Sequence, residues 1–254
     1  GGHRVAPAHC PPLACEGHPQ DSQAVRGRPL VRGRGRSEWA APDTYTLPQY
    51  VKDMEFIFTH FGLQRVNWVG TSMGGLIGML FAAKHPGMVR RLVLNDVGPY
   101  VPLKALRRIG DYAGKFPTFK TIEDARKVLG IYYKPFNLPE EDFNKLVDYS
   151  IREVDDGYTL HFDPDLSKSL RKKPKLPAWL WPIYKRIKCP VMVIRGETSD
   201  VLLKKTVKTM KRKSKHGFRA LEVPNVGHAP MLWDEETNTA IEAFIDMPTH
   251  ELAG

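Results

Sequence analysis

The pattern of apolar and polar positions along the middle of the chain predicts strands and helices that follow one another in turn. An apolar, β-prone run ends at Gly70, and an almost wholly apolar run begins just past Ser72, which indicates a buried strand, a sharp turn and a buried helix. A second short strand is expected over residues 91–95. Before them, apolar residues at helical spacing between Tyr50 and Phe61 predict an amphipathic helix. Strand, helix and strand in this order are typical of a parallel sheet covered by helices on both faces.

This alternation stops over residues 100–187 and resumes afterwards. The stretch carries helical patterns without strands, apart from an extended piece or hairpin near residues 158–162. We therefore expect a helical insertion that caps the edge of the sheet. Further strands are expected over residues 191–194 and 218–223, with a basic helix between them and a last helix over residues 234–246.

The first residues of the chain differ from the rest. Proline, glycine, histidine and arginine dominate residues 1–31, and too few apolar side chains are present to offset the entropy cost of ordering. We expect an irregular or disordered segment there, a core formed by residues 32–99 and 188–254, and a helical cap over residues 100–187. The fold class predicted is α/β, with a mostly parallel sheet.

Length and composition agree with one large domain. A chain of 254 residues can bury a sizeable core, and no apolar run approaches the roughly 20 residues that span a bilayer. With no export features, a cytoplasmic location is expected. The three cysteines provide no disulfide framework, and Cys189 is expected to act as a small buried hydrophobic residue.

The formal net charge of +10 raises the question of a polyanionic partner. Basic residues cluster at Arg26, Arg28, Arg32, Arg34 and Arg36, and again over residues 171–175 and 204–215. No aromatic residues of the kind that stack on bases are interleaved with them, so no specific nucleic-acid partner is expected. Solvated charged faces are the preferred interpretation, with a weak, salt-sensitive affinity for polyanions as the alternative.

Candidate chemistry begins at Ser72. Residues 70–74 fit the G-x-S-x-G pattern of a nucleophile elbow, in which a strained turn between strand and helix exposes the serine hydroxyl. A serine that only caps the following helix is the alternative. As a nucleophile, a serine needs a base within hydrogen-bond reach and a carboxylate that orients the base.

Two later strands provide candidates for the base and the acid. His228 follows the strand over residues 218–223, and Asp200 follows the strand over residues 191–194. Parallel strands place their carboxyl ends on one rim, beside Ser72. Asp96, at the end of another strand, is the second candidate acid and Glu197 the third; a capping or structural role is the alternative for each residue.

The chain resembles the α/β-hydrolase fold superfamily, specifically its cap-bearing enzymes with a serine nucleophile. The matching segments, in order, are residues 32–37, 70–75, 94–99, 195–200 and 227–230. The resemblance implies Ser72 as nucleophile, His228 as base, Asp200 as acid and the backbone N–H of Met73 as one oxyanion donor. It also implies hydrolysis of carboxylic esters or related acyl compounds, with a small-molecule acyl or ester substrate and with neither cofactor nor metal. Thioester hydrolysis, carbon–carbon hydrolysis and acyl transfer use the same triad.

One departure from the resemblance concerns the N-terminal part. Such enzymes usually begin with apolar strands and a His-Gly loop that provides a second oxyanion donor, and no such strand and loop precede residue 70. The N-terminal strands are therefore expected to be missing. Loss of one oxyanion donor typically lowers kcat by about 10²–10³-fold. A catalytically weak or inactive binding protein with the hydrolase fold is the alternative function.

Overall fold

A computed structural model describes residues 31–112, 118–166 and 175–252. Eight strands are assigned in these ranges: β1 (Val66–Thr71), β2 (Val89–Asn95), β3 (Tyr100–Val101), β4 (Ile151–Val154), β5 (Gly157–Leu160), β6 (Ala178–Trp179), β7 (Val191–Gly196) and β8 (Phe218–Val223). β1, β2, β7 and β8 form one sheet in that order, with every neighbouring pair parallel. The predicted parallel sheet is confirmed.

Eight α-helices are described in the same ranges: α1 (Leu47–His60), α2 (Met73–Lys84), α3 (Leu103–Tyr112), α4 (Ile122–Tyr133), α5 (Glu140–Ser150), α6 (Trp181–Tyr184), α7 (Lys204–Lys213) and α8 (Glu235–Asp246). Short 3-10 helices cover Pro42–Thr44, Lys134–Phe136 and Thr249–Leu252. The predicted amphipathic, basic and C-terminal helices correspond to α1, α7 and α8.

Helices cover the sheet on both faces, as predicted. On one face, α1 and α2 pack with Met210 of α7 in a large apolar core. On the other face, Ile241 and Phe244 of α8 pack against Val93 and Ile194 of the central strands. Because β2 and β7 lie between the two layers, their side chains are almost all buried, which explains the unbroken apolar runs at residues 92–94 and 191–194.

The expectation of a strand-free stretch over residues 100–187 is wrong in detail. β4 and β5 form an antiparallel hairpin, and β3 pairs with β6 across Tyr100 and Trp179. Strands of two to four residues are too short to give a clear alternation, so the sequence signal is absent. The extended piece or hairpin expected near residue 158 is a hairpin, and Gly157, the first residue of β5, has a φ of +128° directly after its turn.

The stretch has an apolar cluster of its own. Phe119, Leu129, Val147 and Leu160 bring α4, α5 and the hairpin together, apart from the two clusters against the sheet. The division of the chain at residues 99 and 188 remains a prediction.

Burial was expected for two side chains, those of Cys189 and Phe61, and only one of them is buried. Cys189 is buried as expected, and this burial raises the pKa of its thiol to about 12. Phe61 was expected on the inward stripe of α1, but its side chain is 62% exposed. The reason is that α1 ends at His60, so Phe61 is the C-cap and no longer follows the helical stripe.

The predictions for the N-terminal segment mostly lie outside the described residues, because the description begins at residue 31. From there to residue 65 no strand is assigned. Within the described ranges, no helix has both the length and the apolar character needed to cross a bilayer.

Candidate active site

Ser72 lies in the turn between β1 and α2 with a φ of 49°, a backbone conformation that non-glycine residues rarely adopt. The neighbouring glycines make this turn sterically feasible. A Cβ at Gly70 would lie 2.5 Å from the backbone of Gly74, and one at Gly75 would lie 2.5 Å from Val97 Cγ1. The local sequence therefore produces the sharp strand–turn–helix that the pattern predicts.

His228 follows β8 and reaches Ser72. Its Nε2 lies 2.9 Å from Ser72 Oγ, and its side chain is only 10% exposed. The loop is anchored on its upstream side, where the N–H of Gly227 donates to the carbonyl of Pro135 at 2.7 Å. The serine and the histidine that the sequence singled out are thus within hydrogen-bond distance of each other.

Asp96 is the carboxylate beside the imidazole. Its Oδ2 lies 2.7 Å from His228 Nδ1, and the residue is completely buried. The N–H of Gly196 donates to Asp96 Oδ1 at 3.0 Å, and Ser199 Oγ donates to Oδ2 at 2.5 Å. The contacts from Gly196 and Ser199 both place a donor against the carboxylate, one on each oxygen of Asp96.

Asp200, which the sequence analysis ranked first as the acid, lies elsewhere. It forms a two-bond ion pair with Arg108, at 2.6 and 2.8 Å, and its side chain is 45% exposed. The loop after β7 turns tightly, with the N–H of Ser199 donating to the carbonyl of Gly196, so Ser199 faces the site and Asp200 faces away. The expectation that Asp200 adjoins His228 is corrected in favour of Asp96.

The third candidate acid, Glu197, also lies apart from the imidazole. Its Oε2 accepts the backbone N–H of Asn225 at 2.9 Å. This contact ties the loop after β7 to the turn after β8 on the exposed side, so Glu197 has the structural role that was its alternative.

Sequence reasoning did not single out Ser199. Its hydroxyl oxygen accepts the N–H groups of Val201 and Leu202, both at 3.2 Å, which leaves its proton for Asp96. The available signal was its place in the same loop as Asp200, but a serine beside two acids does not stand out.

Met73 is the first residue of α2, directly after Ser72. The backbone N–H groups in the first turn of a helix have no carbonyl partner inside the helix and point along the positive end of its dipole. The Met73 N–H is thus a donor of the right type next to the serine. Among the described residues, no group of three histidine, cysteine or acidic side chains could hold a metal ion.

Comparisons with known proteins agree with this architecture. The alpha/beta hydrolase fold family matches residues 31–235. The 3-hydroxybutyrate-oligomer hydrolase of Cupriavidus necator is 42% identical over 217 residues, covering 81% of this chain and 74% of that protein. The 2-(acetamidomethylene)succinate hydrolase of Mesorhizobium japonicum is 27% identical over 222 residues, covering 85% of this chain and 76% of that one.

Solved structures give the same result. An alpha/beta hydrolase from Novosphingobium aromaticivorans superimposes with a TM-score of 0.78 at 31% identity, covering 86% of this chain and 78% of that chain. The family match includes the elbow, the loop of Asp96 and the loop of His228. The chain belongs to the alpha/beta hydrolase fold family and is a hydrolase.

Proposed function

We propose that this hydrolase cleaves carboxylic esters through an acyl-enzyme, with Ser72 as nucleophile, His228 as general base and Asp96 as the orienting acid. The single observation that carries the proposal is the continuous contact from Ser72 Oγ to His228 Nε2 and from His228 Nδ1 to Asp96 Oδ2. A serine, a histidine and a buried carboxylate in this geometry suit acyl transfer.

The proton positions follow from the surroundings of Asp96. Since Asp96 accepts from Gly196 and Ser199, it also accepts from His228, and the neutral imidazole carries its proton on Nδ1. His228 Nε2 is then free to accept the proton of Ser72. The serine oxygen attacks the ester carbonyl, and the proton moves to Nε2 and then to the departing alkoxide oxygen.

Deacylation repeats these steps with water. His228 Nε2 removes a proton from a water molecule, the hydroxide attacks the acyl carbon, and the proton returns to Ser72 as the carboxylic acid leaves. The backbone N–H of Met73 donates to the oxyanion that forms in both halves of the reaction. Asp96 remains ionised and stabilises the imidazolium.

For the substrate class we propose short oligoesters of hydroxy acids. Support comes from the C. necator relative, named as a 3-hydroxybutyrate-oligomer hydrolase, at 42% identity over 217 residues. Hydrolysis of such an oligomer is the acyl-enzyme reaction described above, with a hydroxy acid as both leaving alcohol and acyl group.

The triad is tested by covalent labelling with a fluorophosphonate probe. We expect one label on Ser72 in the folded wild type, none in Ser72→Ala, and unchanged labelling in the control variant Asn67→Ala, whose side chain is exposed on β1. Folded wild type that is not labelled would contradict the assignment of Ser72 and favour a non-catalytic role for the fold.

The substrate class is tested separately with a 3-hydroxybutyrate trimer and p-nitrophenyl butyrate. We expect release of 3-hydroxybutyrate from the trimer, abolished by Ser72→Ala. Cleavage of the p-nitrophenyl ester without cleavage of the trimer would overturn the substrate class and leave the triad intact.

A further inference from the structure

Asn95, the last residue of β2, is a polar side chain at the end of a buried apolar run. Leu92, Val93 and Leu94 precede it, and all four residues are completely buried. An amide in such a place loses its hydration, so it is retained only where its hydrogen bonds have a purpose that an apolar residue does not serve.

The hydrogen bonds of Asn95 reach both the turn that carries Ser72 and the loop that carries His228. Its main-chain carbonyl accepts the N–H of Ser72 at 2.9 Å, and its Nδ2 donates to Thr71 Oγ1 at 3.0 Å. The same Nδ2 donates to the carbonyl of Pro230 at 2.7 Å. Thr71 precedes the nucleophile by one residue, and Pro230 follows His228 by two, so one amide nitrogen joins the nucleophile elbow to the histidine loop.

The amide oxygen of Asn95 indicates that this side chain is not present for packing alone. Asn95 Oδ1 is buried and has no hydrogen-bond partner among the described residues. A buried carbonyl without a donor costs free energy, and leucine or valine would avoid that cost. The nitrogen is therefore the part of the side chain that the site uses.

We propose that Asn95 is a positioning residue that sets the separation of Ser72 Oγ and His228 Nε2. The proposal rests on the proposed function of these two residues. Gly227 anchors the histidine loop before the imidazole, through Pro135, and Asn95 anchors it after the imidazole, through Pro230. Because Asn95 is buried beneath both loops, it affects the proton transfer between them and not substrate binding.

The test compares Asn95→Leu, which keeps a similar volume, with Thr71→Val, which removes only the acceptor on the elbow side. Activity on p-nitrophenyl butyrate is measured well below each melting midpoint, so that every variant is fully folded. We expect Asn95→Leu to lower kcat by about 10–100-fold, because loss of alignment by about 1 Å has effects of this size. KM should stay within about twofold, since no binding contact is lost.

Further readouts separate positioning from a general structural role. Fluorophosphonate should still label Asn95→Leu completely, but at a rate reduced by the same factor as kcat. Thr71→Val should lose less activity, because the bond to Pro230 remains, and the double variant should lose no more than Asn95→Leu alone. Asn67→Ala, an exposed asparagine on β1, should match the wild type in all measurements.

Wild-type kcat in folded Asn95→Leu, or a raised KM with unchanged kcat, would overturn the proposal. If Asn95→Leu does not fold, Thr71→Val decides, and a wild-type kcat and labelling rate in that variant would be the contradicting result. Failure of the proposed function is distinguishable, because the folded wild type would then show no turnover and no labelling, or Ser72→Ala would retain turnover.

Discussion

Two aspartates near the active site differ in what surrounds them. Asp96 is completely buried, accepts bonds from Gly196 and Ser199, and lies beside His228 Nδ1. Asp200 faces solvent and pairs with the half-exposed Arg108, an arrangement that contributes little to stability because water screens it. The carboxylate that can orient the imidazole is therefore the one without access to water.

This difference predicts effects of very different size for the same conservative change at the two positions. Asp96→Asn should lower kcat for ester hydrolysis by about 10⁴-fold, because an amide can hold the imidazole in the wrong tautomer. Asp200→Asn should remain within about threefold of the wild type, because only an exposed ion pair is lost.

The kcat of the two variants is compared by steady-state kinetics on p-nitrophenyl butyrate. Melting curves show whether both variants fold. A larger loss in Asp200→Asn than in Asp96→Asn would contradict the assignment of the acid.

At the scale of elements, the position of α2 on the sheet depends on close contact with β1. A Cβ at Gly78 would lie 2.5 Å from Trp68 Nε1, the atom that donates to the carbonyl of Gly74 at 3.1 Å. Helix and strand can approach this closely only because residue 78 has no side chain. In contrast, a Cβ at Gly130 of α4 would make an ordinary contact of 3.6 Å with Phe143.

Two glycine-to-alanine changes in helices should therefore have opposite signs. Gly78→Ala should lower the free energy of unfolding by about 1–3 kcal/mol, because the indole must move. Gly130→Ala should raise it by about 0.5–1 kcal/mol through the better helix propensity of alanine. Denaturant unfolding of the two variants beside the wild type measures both, and stabilisation by Gly78→Ala would show that the indole is not tightly held.

At the scale of the whole molecule, the four strands of the sheet together position the residues of the candidate site. The carboxyl ends of β1, β2, β7 and β8 carry Ser72, Asp96, Ser199 and His228, in the order in which the strands lie side by side. Ion pairs also connect β8, at the edge of this sheet, to its neighbours. The largely buried Arg195 of β7 and Lys204 of α7 both bind Glu222 of β8, at 2.5 and 3.0 Å.

The ion pairs of Glu222 predict a pH-dependent contribution to the free energy of unfolding. Lys204 first, and Arg195 after it, lower the pKa of Glu222 below its usual value. The contribution is therefore present above the ordinary glutamate pKa and is lost as the pH falls through the lowered value. Glu222→Gln should cost about 1 kcal/mol or less at pH 7, because two of the three side chains are partly exposed, and this deficit should shrink below about pH 4.

Thermal unfolding between acidic and neutral pH, with Glu38→Gln as the exposed control, measures the effect. A deficit that stays constant down to acidic pH would show that the carboxylate charge is not its origin.

Local features of the sequence were sufficient for the parts of the fold and site that depend on neighbours in the chain. The apolar runs around Gly70 and the flanking glycines predicted the strand, the strained turn and the helix, because their sterics involve only a few residues. The apolar runs before Ser72 and before His228 also predicted that both residues follow parallel strands, at whose carboxyl ends the two side chains were expected to meet.

Only the tertiary structure decided which carboxylate and which supporting groups join them. Ser199 and Asp200 are adjacent in sequence, yet the turn after β7 directs one toward Asp96 and the other to solvent. Asn95 bonds to residues 24 and 135 positions away, and β3 pairs with β6 across the intervening helices. Such contacts depend on how distant segments are oriented in space, and periodicity and composition carry no record of that orientation.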